Sequence, residues 1–419
     1  MISRIVVFIA LRQLWDRKLL NGIAVLGVAL GVLVLIAING IMQGFQTKFL
    51  DNILRISPHV TIFDKQLRPS ASILSRYAQT FVAARVTHEN PSDRQLRIAR
   101  PAEIVRAVEQ LPGVRAAAAS LVGSGVLLFG AKQYPVDLRG IEPSKQNQVT
   151  PLSSYLIEGS YRAFSAASDG IILGSGVASR LGAGLDDVVV CGTGAGDRLS
   201  LKVVGIFEAA IPPVDNTRVY VKLRNAQILL GKPDIVGRIE MRLEDSDGAP
   251  SVSDNMEALF GYDAESWQET NSNFLGIFAM QNTIISFVVG AILAVGGFGI
   301  LAIQVMIVLQ KTRDIAILRS VGFRRADILF GFLLQGAIIA LIGAAIGDII
   351  GHYLVVALSH LKTHQEGLVK SEYFLVKDDP RFYWYGVGFA LSVGLIASLI
   401  PALRGSRVEP VDVLRGQLG

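Results

Sequence analysis

The side chains that most often carry catalysis are few and scattered in this sequence. Its five histidines show no metal-binding spacing such as HExxH: His59, His88, His352, His360 and His364. The stretch GVLLFGAK (125–132) is close to a phosphate-binding loop, but Ala131 separates Gly130 from Lys132 and no Ser or Thr follows the lysine. Because no acid–base constellation emerges either, we expect no enzymatic activity, no metal site and no cofactor in this chain itself.

The composition is typical of a membrane protein. Of the 419 residues, 51% are hydrophobic and only 18% are charged, against about 25% charged in an average soluble domain. Four segments are long and uncharged enough to cross a bilayer: 19–45, 274–310, 328–358 and 382–403. The second would exceed about 50 Å as one helix, so part of it is expected to form a stalk beyond the hydrocarbon core. The predicted fold is an α-helical membrane protein with four transmembrane helices.

Charge predicts the side of the membrane on which each segment lies. Residues 45–273 hold 24 Lys and Arg against 25 Asp and Glu, which excludes a basic surface for nucleic acid. Twelve basic residues against five acidic ones lie in three segments: 1–18, 311–327 and 404–419. The positive-inside rule places these three in the cytoplasm, and it places 46–273 and the loop 359–381 outside. Residues 1–18 also show the pattern of an amphipathic helix at the membrane surface.

The external segment 46–273 is predicted to be a large α+β domain. Residues 104–122 indicate an amphipathic helix that ends at Pro112–Gly113 and leads into a strand, and 125–142 indicate two strands. Together they predict a small lobe, at about 100–160, inserted within the larger domain. Further strands are predicted at 59–64, 188–192, 199–208, 217–223 and 237–244. The structure of residues 66–100 stays open, and Cys191, the only cysteine, cannot form an intrachain disulfide.

Asp348 is the one ionisable residue in the core of a candidate span, and His352 follows one turn later. Such a pair inside a membrane is a functional hypothesis by default. However, Asp348 lies about 20 residues, or roughly 30 Å, from the cytoplasmic end of its span, which places it near the outer interface. Two interpretations stay open: a solvated or helix-packing role, and a gating or substrate role.

Glycines recur at four-residue spacing in two of the spans: Gly27 and Gly31 in the first, and Gly343, Gly347 and Gly351 in the third. Small residues at this spacing let helices approach closely. The pattern leaves open whether these glycines pack helices of one chain or of two subunits, or line a lateral opening for lipid.

Several stretches together carry a family resemblance. IAINGIMQGFQTKFLDNILRISPHVTI (36–62) runs through an M-x-G-F motif into a strand with P-H-V. KTRDIAILRSVGFRRADI (311–328) precedes the third span, and LIPALRGSRVEPVDVLRG (399–416) ends the fourth. With 170–189 and 205–231 in the external domain, these stretches resemble the LolC/LolE lipoprotein-releasing permeases of the FtsX/MacB superfamily. Met42 and Phe45 of the M-x-G-F motif join the five glycines as candidates for helix packing or a substrate cavity.

The resemblance implies a membrane subunit of an ABC transporter of the mechanotransmission type, in the bacterial inner membrane. The external domain would be a MacB-like periplasmic domain, and its inserted lobe would be porter-like. ATP and Mg would be bound by a LolD-like ATPase dimer rather than by this chain. The other implied partners are a second permease copy or paralogue, membrane lipid or lipoprotein, and a periplasmic carrier or adaptor protein.

Residues 311–325 are the candidate link to that ATPase. Ile315, Leu318 and Val321 fall at near-helical spacing among basic residues, which fits either a helix in an ATPase groove or a basic loop at the membrane surface. The resemblance implies the first, because this loop is the coupling helix of the family. The residues assigned to ATPase coupling are Arg313, Asp314, Ile315, Leu318, Arg319, Val321, Gly322 and Phe323.

The predicted mechanism is allosteric. ATP binding by the partner moves the 311–325 helix, and the long second span carries that motion to the periplasmic domain, so that a lipoprotein or lipid-type substrate leaves the inner membrane. Two alternatives stay open: a permease of a tripartite export system with a membrane-fusion adaptor, and a non-transporting FtsX-like signal transducer.

Overall fold

The computed structural model describes residues 2–16, 18–64, 97–194, 198–366 and 369–409. Most of the stretch left open above, 66–100, lies outside these ranges, as does the end of the predicted cytoplasmic tail. The chain divides into two compact units. The membrane unit comprises Met1–Thr47, Ile277–His364 and Glu372–Gly419, and the sheet unit comprises Lys48–Gly276 and Gln365–Ser371.

The membrane unit is built on four helices that are long and apolar enough to cross a bilayer: α2 (Lys18–Ile56), α11 (Ser272–Gln310), α13 (Arg325–Ser359) and α14 (Pro380–Ser406). Each predicted span lies within one of them. In hydrocarbon a helix satisfies its backbone hydrogen bonds internally, which is why these apolar runs fold in this way. Helix α2 continues past Phe45, the expected end of its span, and has 39 residues. The shorter helices α1 (Ile2–Asp16) and α12 (Thr312–Ser320) belong to the same unit.

The glycines of the first and third spans lie between helices of this one chain. A Cβ added at Gly27 would meet the backbone of Gly296 in α11 at 3.5 Å. Cβ atoms added at Gly343, Gly347 and Gly351 of α13 would come within 2.5 to 3.0 Å of α2. These glycines thus lie where α2 packs against α11 and α13 within this chain.

The sheet unit combines strands with short helices. Its strands are β1 (Val60–Phe63), β2 (Val114–Phe129), β3 (Lys132–Ile141), β4 (Leu156–Gly159), β5 (Gly170–Gly174), β6 (Val188–Gly192), β7 (Arg198–Phe207), β8 (Arg218–Lys222), β9 (Arg238–Leu243) and β10 (Asp263–Ser266). Its helices are α3 (Pro101–Glu109), α4 (Pro143–Val149), α5 (Tyr161–Ala166), α6 (Ser175–Leu181), α7 (Pro212–Asp215), α8 (Leu223–Leu229), α9 (Ala249–Phe260) and α10 (Trp267–Thr270). The five strands predicted from alternation correspond to β1, β6, β7, β8 and β9. A two-stranded hairpin of β11 (Lys362–Glu366) and β12 (Lys370–Tyr373), which the sequence did not predict, lies in the loop 359–381.

The strands of the sheet unit form one mixed sheet in the order β10-β1-β9-β2-β3-β8-β5-β7-β4, with β6 paired to β2 and β7. The first half of β2 pairs with β9, and its second half pairs with β3. One core lies under α3 and α9, and a second lies under α6 and α8. The predicted lobe at about 100–160 stays a prediction; within this range β2 takes part in both cores. The strands β2 and β3 are central in a single sheet because β9 occupies the other edge of β2.

His59 lies between the end of α2 and the start of β1 and is almost fully buried. Its backbone N–H donates to Met241 (2.8 Å), and its carbonyl accepts the N–H of Trp267 (2.9 Å), at the start of α10. Its ring Nδ1 accepts the N–H of Leu243 (3.2 Å). Burial, and then the charge of Arg242, lower the pKa of His59 to about 4, so the imidazole is neutral at physiological pH.

We predict that Gly347→Ala destabilises the protein. The new Cβ would lie 2.5 Å from the Ala29 carbonyl oxygen and 2.9 Å from the Val32 Cβ, so α2 and α13 must separate. The expected cost is about 1–3 kcal/mol, seen as a lower melting temperature of the full chain in detergent. Gly290→Ala in α11 is the matched control, because its Cβ meets nothing within 4 Å. Equal melting temperatures of the two variants would contradict this packing.

We predict that His59 makes stability fall in mild acid. The unfolded chain binds the proton below pH 6.5, whereas the folded chain does so only near pH 4, so the stabilisation is complete above 6.5 and is lost as the pH falls toward 4. Between pH 7 and pH 5, the wild type should lose up to about 2 kcal/mol more unfolding free energy than His59→Asn. Asp215, whose pKa burial raises to about 6, titrates in both proteins and cancels in the difference. The same pH dependence of the unfolding free energy in the wild type and in His59→Asn would contradict this effect of His59.

Candidate functional site

The candidate coupling segment forms helix α12, which is separated from the end of α11 by one residue. Lys311, between the two helices, contacts Asp314 through Nζ and Oδ2 at 2.9 Å. Asp314 in the first turn and Arg319 in the last turn complement the helix dipole. Gly322 has a φ of +109°, a conformation that favours glycine, and there the chain turns toward α13.

One face of α12 belongs to the core of the membrane unit. Ile315 is 3% exposed, and Leu318 and Phe323 pack against the same apolar cluster. Helix α1 contributes Ile9 and Ala10 to the small cavity beside them. Of these three assigned coupling residues, Ile315 is therefore internal, whereas Leu318 and Phe323 are partly buried.

The opposite face of α12 is exposed and carries a short apolar patch. Ile317 is 46% exposed and Val321, which directly follows the last residue of α12, is 76% exposed; the exposed residues around them include Arg313, Asp314 and Arg324. Ile317 was missed by the sequence analysis. The spacing 313, 317, 321 was the available signal, since residues four apart share a helix face.

Arg319, also assigned to coupling, is held within the chain. Its Nη1 donates a hydrogen bond to the backbone carbonyl of Val408, beyond the end of α14. Nearby, Arg325 lies 3.9 Å from the carboxylate of Glu409. Residues 408–409 are thus attached to α12 and to the start of α13.

A lateral groove of about 1040 Å³, part of it open to the outside, lies between α2, α11 and α14. It is lined by Leu35, Asn39, Gln43, Ile285, Ser286, Val289, Phe382, Trp384, Tyr385, Gly388, Phe389 and Ser392. Its walls are mostly apolar and aromatic, but each of the three helices adds a polar side chain. Asn39, Ser286 and Ser392 donate hydrogen bonds to carbonyls of their own helices, at 2.8 Å in each case. Such a surface suits a molecule with both apolar chains and polar groups.

The sequence pointed to the neighbourhood of this groove but not to its lining. Asn39 and Gln43 stand beside Met42 and Phe45 in the M-x-G-F stretch. Met42 is half-buried, and the ring of Phe45 packs edge-on against Phe278 of α11, with centroids 6.2 Å apart. The two motif residues therefore lie beside the groove, and their neighbours line it.

His352 is joined to Tyr383 and Asp378 in this structure. His352 Nδ1 lies 3.0 Å from Tyr383 Oη and 3.1 Å from Asp378 Oδ2. Tyr383 also donates to Asp378, at 2.6 Å. Asp348 lies half-buried beside Gly386 of α14. The histidine therefore secures the start of α14, next to Phe382 and Trp384 of the groove.

Comparisons with known proteins cover nearly the whole chain. Residues 22–259 match the family described as MacB-like periplasmic core domain, and residues 273–410 match the family described as FtsX-like permease C-terminal. The lipoprotein-releasing system transmembrane protein LolC of Xylella fastidiosa is 27% identical over 94% of this chain and 92% of that protein. LolE of Haemophilus influenzae is 24% identical over 93% and 92%. The solved periplasmic region of MacB from Actinobacillus actinomycetemcomitans has 15% identity and a TM-score of 0.35, over 54% of this chain and 97% of that one.

Proposed function

Because the chain belongs to the ABC-transporter permeases that combine a MacB-like periplasmic core domain with an FtsX-like permease domain, we propose that it releases lipoproteins from the inner membrane. ATP and Mg²⁺ are bound by a separate ATPase dimer in this proposal, and both termini lie in the cytoplasm. The chain acts with a second permease copy or paralogue and delivers its substrate to a periplasmic carrier. The names of the LolC and LolE relatives support this choice of substrate.

The groove between α2, α11 and α14 is the observation that carries this proposal. A lipoprotein in the outer leaflet presents acyl chains and a polar headgroup region together. The aromatic and aliphatic walls, with Trp384 77% exposed, offer apolar contact to the chains. Asn39, Gln43 and Ser392 offer amide and hydroxyl groups to the polar part. A substrate in the plane of the membrane can enter such a groove sideways.

The exposed patch of α12 supplies the connection to ATP in this proposal. Ile317 and Val321 are apolar side chains at the surface, flanked by charged ones, as expected of a short helix that docks in a groove of a partner. Since α11 lines the groove with Ile285 and Val289, movement of α12 reaches the groove through α11. ATP binding then favours the state from which the substrate is released, because coupling requires two states with different contacts at both sites.

We predict that Ile317→Asp with Val321→Asp abolishes attachment of the ATPase. Two carboxylates in an apolar contact add desolvation cost and remove buried apolar area. With the partner ATPase co-expressed, we expect at least about a tenfold loss of co-purifying ATPase at an unchanged melting temperature. Leu259→Asp on α9, where Leu259 is 63% exposed, is the control and should retain the ATPase. Undiminished co-purification with the double variant would contradict the docking patch, and a membrane-fusion adaptor in the same preparation would favour tripartite export.

We predict that Gly388→Leu blocks the groove without weakening the fold. A Cβ at Gly388 meets nothing within 4 Å, so the leucine extends into the groove. The expected result is about a tenfold loss of lipoprotein-stimulated ATP hydrolysis in nanodiscs, with the ATPase still bound. Gly299→Leu in α11 also meets open space and lies outside the groove lining, so it should behave as the wild type. Normal stimulation in Gly388→Leu would exclude this groove as the entry path.

A further inference from the structure

A fully buried amide lies in the apolar core of the membrane unit. Gln304, in α11, is 0% exposed, and its neighbours Ile300, Ile303 and Ile307 all belong to the buried cluster. Its Nε2 donates to the backbone carbonyl of Phe332 in α13 at 3.2 Å. The same nitrogen lies 3.3 Å from Ser398 Oγ in α14. One side chain thus joins three of the four membrane-spanning helices.

Packing around this amide is tight, and its partner Ser398 can accept a hydrogen bond from it. A Cβ at Gly336 of α13 would lie 1.6 Å from Ser398 Oγ, so only glycine admits the serine there. The Ser398 hydroxyl donates to the carbonyl of Gly394 in its own helix, which leaves its oxygen free to accept from Gln304. Within the described residues, Gln304 Oε1 has no hydrogen-bond partner.

Stability alone gives no reason for an amide at this position. A buried polar atom without a partner costs about 1–3 kcal/mol, and hydrogen bonds between membrane helices add only about 1 kcal/mol each. An apolar side chain of the same length would fill the space at no net loss. Polar groups inside membrane proteins that are not justified by stability mark functional positions.

The position of Gln304 between the coupling helix and the groove indicates what its function is. It lies six residues, or about 9 Å, before the end of α11 at Gln310, and α12 follows after Lys311. On the other side, Ser398 lies six residues beyond Ser392, which lines the groove. The contact between Gln304 and Ser398 therefore connects the helix that carries the coupling segment with the helix that forms the groove wall.

We propose that Gln304 is a positioning residue that fixes α11 against α13 and α14, so that displacement of α12 moves the groove wall formed by α14. The inference rests on the proposed function for its transport consequence, but the fixing of α11 is a property of this chain alone. Without the amide, α11 keeps its apolar packing and slides or rotates against α14, so that α12 and α11 move without the groove wall formed by α14.

The test uses Gln304→Met and Ser398→Ala in the full-length permease in nanodiscs, with and without its co-expressed ATPase. Thr283→Val is the control, because Thr283 is exposed on α11 and its hydroxyl bonds only within that helix. For Gln304→Met we expect an unchanged or higher melting temperature and normal ATPase binding. Amide hydrogen exchange in residues 312–320 should rise about tenfold, and lipoprotein stimulation of ATP hydrolysis should fall at least about fivefold. The double variant should be no worse than Gln304→Met alone.

The results of this experiment either support or overturn the positioning role of Gln304. Unchanged exchange in 312–320 together with normal stimulation would overturn it, and a lower melting temperature with proportionate loss of all activities would reduce Gln304 to a structural role. If the wild type shows no lipoprotein stimulation, the proposed function fails. The exchange rates then decide alone: faster exchange in Gln304→Met supports the positioning role, and identical rates refute it.

Discussion

Close backbone contact between α2 and the other three long helices is the constraint on which the membrane unit depends. Gly27 meets Gly296 of α11, Gly347 meets Ala29, and a Cβ at Gly386 of α14 would lie 3.0 Å from Val32. In lipid there is no hydrophobic gain from joining two apolar helices, so close packing of small residues has to supply the attraction. These glycines thus pack inside one chain. The groove between α2, α11 and α14 lies on the same unit.

Polar side chains of the membrane unit form contacts that hold one helix against another. Gln304 of α11 hydrogen-bonds to both α13 and α14. Near the start of α14, His352, Tyr383 and Asp378 do the same for α13 and α14. Arg319 attaches α12 to the segment after α14. Along the chain, Gln304 lies between the groove residues of α11 and the start of α12, whereas the His352 contacts lie at the groove end of α14 and Arg319 lies in α12 itself.

The four spans could be predicted because hydropathy reports directly on the requirement that backbone groups be satisfied in lipid. The continuation of α2 to Ile56 could not, because Gln46, Lys48 and Asp51 resemble a loop, although Asp51 and Arg55 pair one turn apart at 3.0 Å. The sequence also could not show which face of α12 is buried. Ile317 and Leu318 are both apolar, and contacts with α1 and α13 decide which one is buried.

The groove was missed for a related reason. Asn39, Ser286 and Ser392 are distant in the sequence, and each is an ordinary polar residue of a membrane helix until folding brings the three helices together. The pairing of β2 with β9 was also out of range of local patterns, because β9 comes more than a hundred residues after β2. Local sequence patterns were enough to predict helices and strands, whereas the groove depends on contacts between residues that are distant in the sequence.

ATP-dependent release of a fluorescent lipoprotein from proteoliposomes is the measurement that tests the central claim most directly. The vesicles would contain this permease, its ATPase and any second permease that co-purifies, with a soluble lipoprotein carrier outside. The account predicts that lipoprotein passes to the carrier only with hydrolysable ATP, and that release stops when the α12 patch is disrupted. ATP hydrolysis at full rate with the lipoprotein retained in the membrane would contradict it.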